Sequence, residues 1–253
     1  MKFALKTIVA AVALTAAAGA HAAIDAGTGG NGELFFNIWD ANGSYTFDLN
    51  KTIDSFQSDV AAAGSINQSY ALSNFGTFLA GVVDTAALKF NLVAADNSGA
   101  RRLLTTFTEA NSPTTPDNVI RSVLTNVVGF ASSVNTLIGS ADNLTVNNGS
   151  AAWAGKVTFH DNPGDILGFS NAGTLASDSY ANGVNFMRID ALASGTNSSN
   201  YVPYADGSPV HVWVDTSDST LHIAAAVPEP ESYAMLLAGL GMIGVIARRR
   251  RAK

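Results

Sequence analysis

The sequence predicts a mainly β protein: an antiparallel, sandwich-like β-rich domain carrying one amphipathic helix over about 116–138. Three observations point there. Short runs of aromatic and β-branched residues alternate with polar ones between clusters of Gly, Asn, Ser and Pro, the pattern of short strands joined by turns. Asn42-Gly43 falls between two such runs, and Asn-Gly is the strongest short-range hairpin signal. Pro116 to Ile138 instead repeats its apolar residues at steps of three and four, the period of a helix with one buried face.

After a Gly27-Thr28-Gly29-Gly30-Asn31-Gly32 lead, Glu33 to Trp39 and Ser44 to Leu49 read as strands joined by Asp40-Ala41-Asn42-Gly43. Asn and Gly tolerate the positive φ that a tight two-residue turn requires. Ser55 to Ala63 reads as a short helix ended by Gly64. Leu88, Phe90 and Leu92 alternate with Lys89 and Asn91, and Asp96-Asn97-Ser98-Gly99 turns the chain into Leu103 to Thr108, a second hairpin. Thr115 supplies a cap, Pro116 the first helical position and Asp117 an acid in the first turn of the long helix. Val119, Ile120, Val123, Leu124, Val127, Val128, Ala131, Val134 and Ile138 form its apolar face, with a stop near Gly139. Strand patterns return at Ala152 to His160, Asp165 to Phe169, Val184 to Ile189, Val210 to Asp215 and Leu221 to Ala225. Ala224 to Pro228 then forms a short stem.

The two ends differ from this body. Lys2 and Lys6 precede an apolar stretch from Ile8 to Ala18, and Ala20-His21-Ala22-Ala23 follows. That is the composition of a secretory signal peptide over residues 1–22, with small residues at Ala20 and Ala22 admitting signal peptidase to the bond before Ala23. At the other end, Val227-Pro228-Glu229-Pro230-Glu231-Ser232 leads into Tyr233 to Ala247, fifteen residues without a charge, and then Arg248, Arg249, Arg250, Arg251, Ala252 and Lys253. Fifteen helical residues reach about 22 Å against a bilayer core of roughly 30 Å, a marginal transmembrane anchor. The arginine run fixes the tail in the cytoplasm and so places residues 23–226 outside the membrane. Gly239, Gly241 and Gly244 give the span a small-residue face, suited to close approach by another transmembrane helix.

Pro228-Glu229-Pro230, the glycine-rich apolar segment and Arg248 to Arg251 together resemble the PEP-CTERM sorting tag of Gram-negative bacteria. The resemblance covers residues 227–253 and implies recognition by an exosortase, a multi-spanning membrane cysteine peptidase that cuts near the Pro-Glu-Pro and passes the protein to the envelope exterior. The opening hairpin, Gly32 to Asp40 and Ser44 to Leu49, is similar to the start of many mature PEP-CTERM proteins. The resemblance says nothing of what the body does.

Residues 23–226 are long enough for one domain with a substantial core. They carry seven basic and eighteen acidic residues, a net charge of −11, because half of the chain's Lys and Arg lie in the two ends. So acidic a body repels phosphate backbones and anionic lipid, which excludes nucleic acid as a partner. There is no cysteine, which removes disulfides, thiolate metal sites and a cysteine nucleophile.

No motif in the body assigns a catalytic residue, a cofactor or a metal. His211, Trp213 and Asp215 are two apart and fall on one strand face, with His222 alongside if Thr216 to Thr220 closes a hairpin. That set offers a general base and its orienter, or metal ligands. Asp40-Ala41-Asn42-Gly43-Ser44 lacks the later ligands of a calcium loop and is better explained as a turn. Gly27 to Gly32 lacks the context of a phosphate loop. Sequons starting at Asn42, Asn50, Asn67, Asn143, Asn148 and Asn197 allow glycosylation. The expected function is therefore an exported cell-surface or extracellular-matrix structural protein, associated with exopolysaccharide and biofilm and sorted by exosortase, with extracellular polysaccharide as a partner. One alternative is a carbohydrate-binding module using Trp39, Trp153 and Trp213. The other is a secreted hydrolase using His211 and Asp215.

Overall fold

The computed structural model describes residues 23–63, 66–108, 116–156, 172–175, 184–191, 200–202 and 210–225. The signal peptide, the sorting tag, Gly64, Thr115, His160, Asn197 and the expected strand Asp165 to Phe169 lie outside them.

Among the described residues eleven strands and three α-helices follow one another as β1 (Glu33–Trp39), β2 (Gly43–Thr52), α1 (Ile53–Ala63), β3 (Asn67–Ala71), α2 (Phe75–Leu79), β4 (Lys89–Ala95), β5 (Arg102–Phe107), α3 (Asp117–Ile138), β6 (Asn143–Asn147), β7 (Gly173–Thr174), β8 (Val184–Asp190), β9 (Asn200–Val202), β10 (Val210–Asp215) and β11 (Thr220–Ala225). The mainly β, antiparallel class with its amphipathic helix is what the structure shows. The strands join one curled sheet, a half-barrel, in the order β3-β11-β10-β8-β5-β4-β1-β2-β6, with β7 on β4 and β9 on β8.

Alternation along each strand sorts the apolar side chains onto two faces. One face runs across the whole sheet: Leu34, Phe36, Tyr45, Phe90, Leu104, Phe186, Val212 and Ile223 belong to one buried cluster with Phe56 of α1 and Phe75 and Phe78 of α2. Phe56 meets Phe186 edge-on at 5.8 Å, within the range where aromatic pairs add to burial. The segment after β3 reaches across to β2 at the other end of the sheet, where the Tyr45 hydroxyl donates to the Ser73 carbonyl (2.7 Å) and its ring meets Phe75 at 5.3 Å. The curl is thus closed from inside by α2.

The opposite face of the central strands is covered by α3. Phe35, Val93, Leu103, Met187 and Ile189 pack there against Ile120, Val123, Val127 and Phe130, with Phe35 and Phe130 stacked at 6.0 Å. The α3 face expected from periodicity is therefore the buried one, with Phe130 added to it. Pro116 rather than Thr115 occupies the N-cap position, so the helix starts one residue later than expected, at Asp117, with Pro116 at extended ψ of 145°, and Gly139 ends the helix at φ 64°. Under α3 runs a polar row: Thr46 donates to Asn37 (2.8 Å), and the Asn37 amide donates to Asn91 (2.9 Å).

Two local expectations are corrected. The β1–β2 hairpin forms, but neither Asn42 nor Gly43 has positive φ. Its turn is held by the Asp40 carboxylate, which accepts from the backbone N–H groups of Asn42 (2.8 Å) and Gly43 (2.9 Å), an Asx-type turn. Glycine is needed at 43 for another reason: a Cβ there would lie 2.6 Å from the Val146 carbonyl oxygen of β6. The expected strand Ala152 to His160 is not one over 152–156, where the chain turns instead. The Ala154 N–H donates to Ser44 Oγ (3.0 Å), and Ala152 and Ala154 are buried in the α3 cluster, so alanines that read as strand serve as close-packing turn residues.

Candidate functional site

An open cleft of about 460 Å³ lies where β1 ends and β4 begins. Trp39 and Lys89 are direct cross-strand partners there. The β1–β2 turn contributes Asp40 and Asn42, the turn ahead of β4 contributes Val83 and Asp84, and the loop after β6 contributes Trp153. That loop is tied to the hairpin at three points: Ala154 N–H to Ser44 Oγ, Asn148 N–H to the Asn42 carbonyl (2.8 Å), and the Asn148 amide to the Ala41 carbonyl (2.9 Å). The Trp153 ring rests on Gly155, where an added Cβ would stand 2.3 Å from it. Trp39 is buried, Trp153 partly exposed, and Val83 projects into solvent at 93% exposure. The Asp84 carboxylate accepts from the Ala86 N–H (3.0 Å). The site thus combines apolar rings with two carboxylates, one amide and one ammonium.

The expected histidine set takes its strand geometry and then divides. Val210, Val212 and Val214 are buried while His211, Trp213 and Asp215 lie partly exposed on the other face. The β10–β11 hairpin puts His222 opposite Trp213, with rings stacked at 4.9 Å and 10°. His222 Nδ1 is 2.8 Å from Ser69 Oγ, but Ser69 is only 2% exposed, so its hydroxyl has no access to a substrate. Asp215 turns to the hairpin loop, where its carboxylate accepts from the Ser217 N–H (2.9 Å) and hydroxyl (2.6 Å). His211 sits in register with Ala224 and Asn185. Burial holds both imidazoles below their usual titration range, and for His222 the nearby Asp218 and Asp215 carboxylates partly oppose it. Among the described residues no three His, Asp or Glu side chains gather as a metal site.

Of the three tryptophans singled out from sequence, Trp39 and Trp153 meet in the cleft and Trp213 does not. Asp84, Lys89 and Val83 were not foreseen; their approach to Trp39 follows from the β1–β4 pairing, which no local pattern announces. Asn42, Asn50, Asn67 and Asn148 are exposed and Asn143 partly so.

At the C-terminus, residues 226–251 match the family model of the PEP-CTERM protein-sorting motif. The chain carries a PEP-CTERM sorting tag. No curated protein and no solved structure matches the chain. The PEP-CTERM motif marks an exported protein, targeted to exosortase and held at the membrane on its way to the cell surface. It starts one residue after β11 ends at Ala225. Among the described residues no helix is long and apolar enough to cross a membrane.

Proposed function

We propose that the protein is a non-catalytic structural component of the cell surface or extracellular polysaccharide matrix, cut by signal peptidase before Ala23, anchored briefly by residues 233–247 and then released by exosortase near Pro228 to Pro230. The PEP-CTERM motif at 226–251 carries this reading. Two features of the body support it. Ile24 is 1% exposed and its carbonyl accepts from the Asn135 amide (2.8 Å), while the Asp25 N–H donates to Glu33 (2.6 Å). A cut before Ala23 therefore leaves no loose leader. At the other end β11 ends at Ala225, so removal of the tag breaks no ladder among the described residues.

The deciding measurement is the intact mass of the protein recovered from the cell exterior. A chain beginning at Ala23 and ending near Pro228 to Pro230 is expected, and Ala in place of Pro228, Glu229 and Pro230 should leave it uncut. A recovered mass that retains Lys253, or release unaffected by those substitutions, refutes sorting by cleavage.

A further inference from the structure

We propose that the cleft between Trp39 and Trp153 binds a neutral saccharide chain, with the partly exposed Trp153 indole against the apolar face of a sugar ring, Trp39 forming the buried floor, and Asp84, Asn42 and Lys89 hydrogen-bonding the hydroxyls. The inference rests on the reading of the body as a surface component and adds a ligand and a site to it.

A pyranose has an apolar C–H face and a rim of hydroxyls that both donate and accept. A site for it needs aromatic surface beside mixed donors and acceptors, and the cleft provides both. Its volume of about 460 Å³ is that of a ligand site. A purely apolar ligand would strip water from the Asp40 and Asp84 carboxylates without replacing their hydrogen bonds. An anionic polymer would meet two carboxylates against one ammonium, on a body of net charge −11, and be repelled. What remains is uncharged and hydroxyl-rich.

Position favours a polymer. The register runs Trp39 against Lys89, Phe107 against Asn185, Val212 against Val184 and Val210 against Ala225. Traced through these antiparallel pairs, Trp39, Lys89 and the start of β8 lie toward one end of the sheet, while β11 runs away from that end and stops at Ala225, level with Phe36 midway along β1. β1 thus enters from the end opposite the cleft, and β11 runs away from the cleft before the tag begins at residue 226. The site is also braced before any ligand arrives, by the three ties between the Trp153 loop and the β1–β2 hairpin, which lowers the ordering cost of binding.

The test uses the full chain in a detergent without a sugar headgroup, titrated calorimetrically with maltohexaose, cellohexaose, laminarihexaose and chitohexaose, with tryptophan emission followed in parallel. At least one should bind saturably, and Trp153→Ala and Lys89→Ala should each weaken it by about tenfold. Trp213→Phe should leave it unchanged, and a hexamer of galacturonate should bind at least about tenfold more weakly. Lys89 is exposed, so its variant remains informative if Trp153→Ala fails to fold. No binding by any neutral hexamer in the millimolar range, binding that both variants leave intact, or preference for the acidic hexamer overturns the proposal. The assay involves no export, so its failure is distinct from a failure of sorting, which the mass alone reads.

Discussion

Arg102 provides the sharpest test of how the body is held together. It opens β5 beneath the start of α1, and its guanidinium faces two carboxylates in different surroundings. Asp96 accepts from Nε at 3.0 Å and lies 2.8 Å from the second terminal nitrogen, with its side chain only 2% exposed. Asp54, on α1, is 60% exposed, and Gln57 on the same helix accepts at 3.2 Å. The other Asp96 oxygen is buried without a partner among the described residues, so the arginine is what compensates that carboxylate. Arg102→Met should leave a desolvated charge behind and cost about 3–5 kcal/mol. Asp54→Asn removes only a solvated partner, worth at most about 1 kcal/mol. Asp96→Asn leaves Arg102 with Asp54 and Gln57 and should fall between, at about 1–3 kcal/mol. At about 2–4 °C per kcal/mol for a domain of this size, the arginine variant should melt roughly 6–20 °C lower. The assay is urea unfolding of the three variants at neutral pH, checked by thermal melts. If Arg102→Met and Asp54→Asn cost the same within error, Asp96 is not desolvated as argued and the reasoning fails.

The remaining predictions concern packing, close approach and titration. Phe130→Ala should destabilise by about 3–5 kcal/mol in urea, since the ring is buried against Phe35 and its removal leaves a cavity under α3. Gly43→Ala should cost about 1–3 kcal/mol by driving a Cβ into the Val146 carbonyl, and hydrogen exchange should quicken first at the β6 amides. His211 and His222 have folded pKa values below the ordinary histidine value. The unfolded chain therefore binds protons first, and their contribution is complete above the unfolded pKa and lost as pH falls below it. Between about pH 7 and 5 the urea midpoint should drop more steeply in the wild type than in the His211→Gln, His222→Gln double variant; equal slopes would contradict this.

What the sequence made legible was local. Two hairpins, the span of α3 and the one-face placement of His211, Trp213 and Asp215 all follow from periodicity and turn residues. The strands it did not reveal are polar: β3 reads Asn-Gln-Ser-Tyr-Ala and β6 Asn-Leu-Thr-Val-Asn. Both lie at the ends of the sheet, where a strand needs fewer apolar residues and its pattern fades. Ala152 to Lys156 misled for the opposite reason, small apolar residues that bury in a turn looking like those that bury in a strand. The cleft was half visible. Trp39 and Trp153 stand out by residue type, but a hydrogen bond between residues 110 apart, Ala154 to Ser44, is what helps bring their segments together, and Asp84 and Lys89 join only through sheet pairing. Cross-strand partners so distant in sequence have no local signature.

The same arrangement limits where the body can act. Among the described residues one face of the sheet is filled by α1 and α2 and the opposite face of its central strands by α3, so a ligand is left the strand ends with their loops and the partly exposed face of β10 and β11. Glu33 opens β1 at the end opposite Trp39, and β11 runs away from the Trp39 end to Ala225, one residue before the tag. Binding at the cleft should therefore be indifferent to processing: the uncut chain in vesicles of neutral lipid and the chain released from the cell should take up the same neutral oligosaccharide with the same affinity. An affinity that rises only on release would mean that the tag or the bilayer covers the cleft, and the strand register would then be a poor guide to which end of the body faces outward.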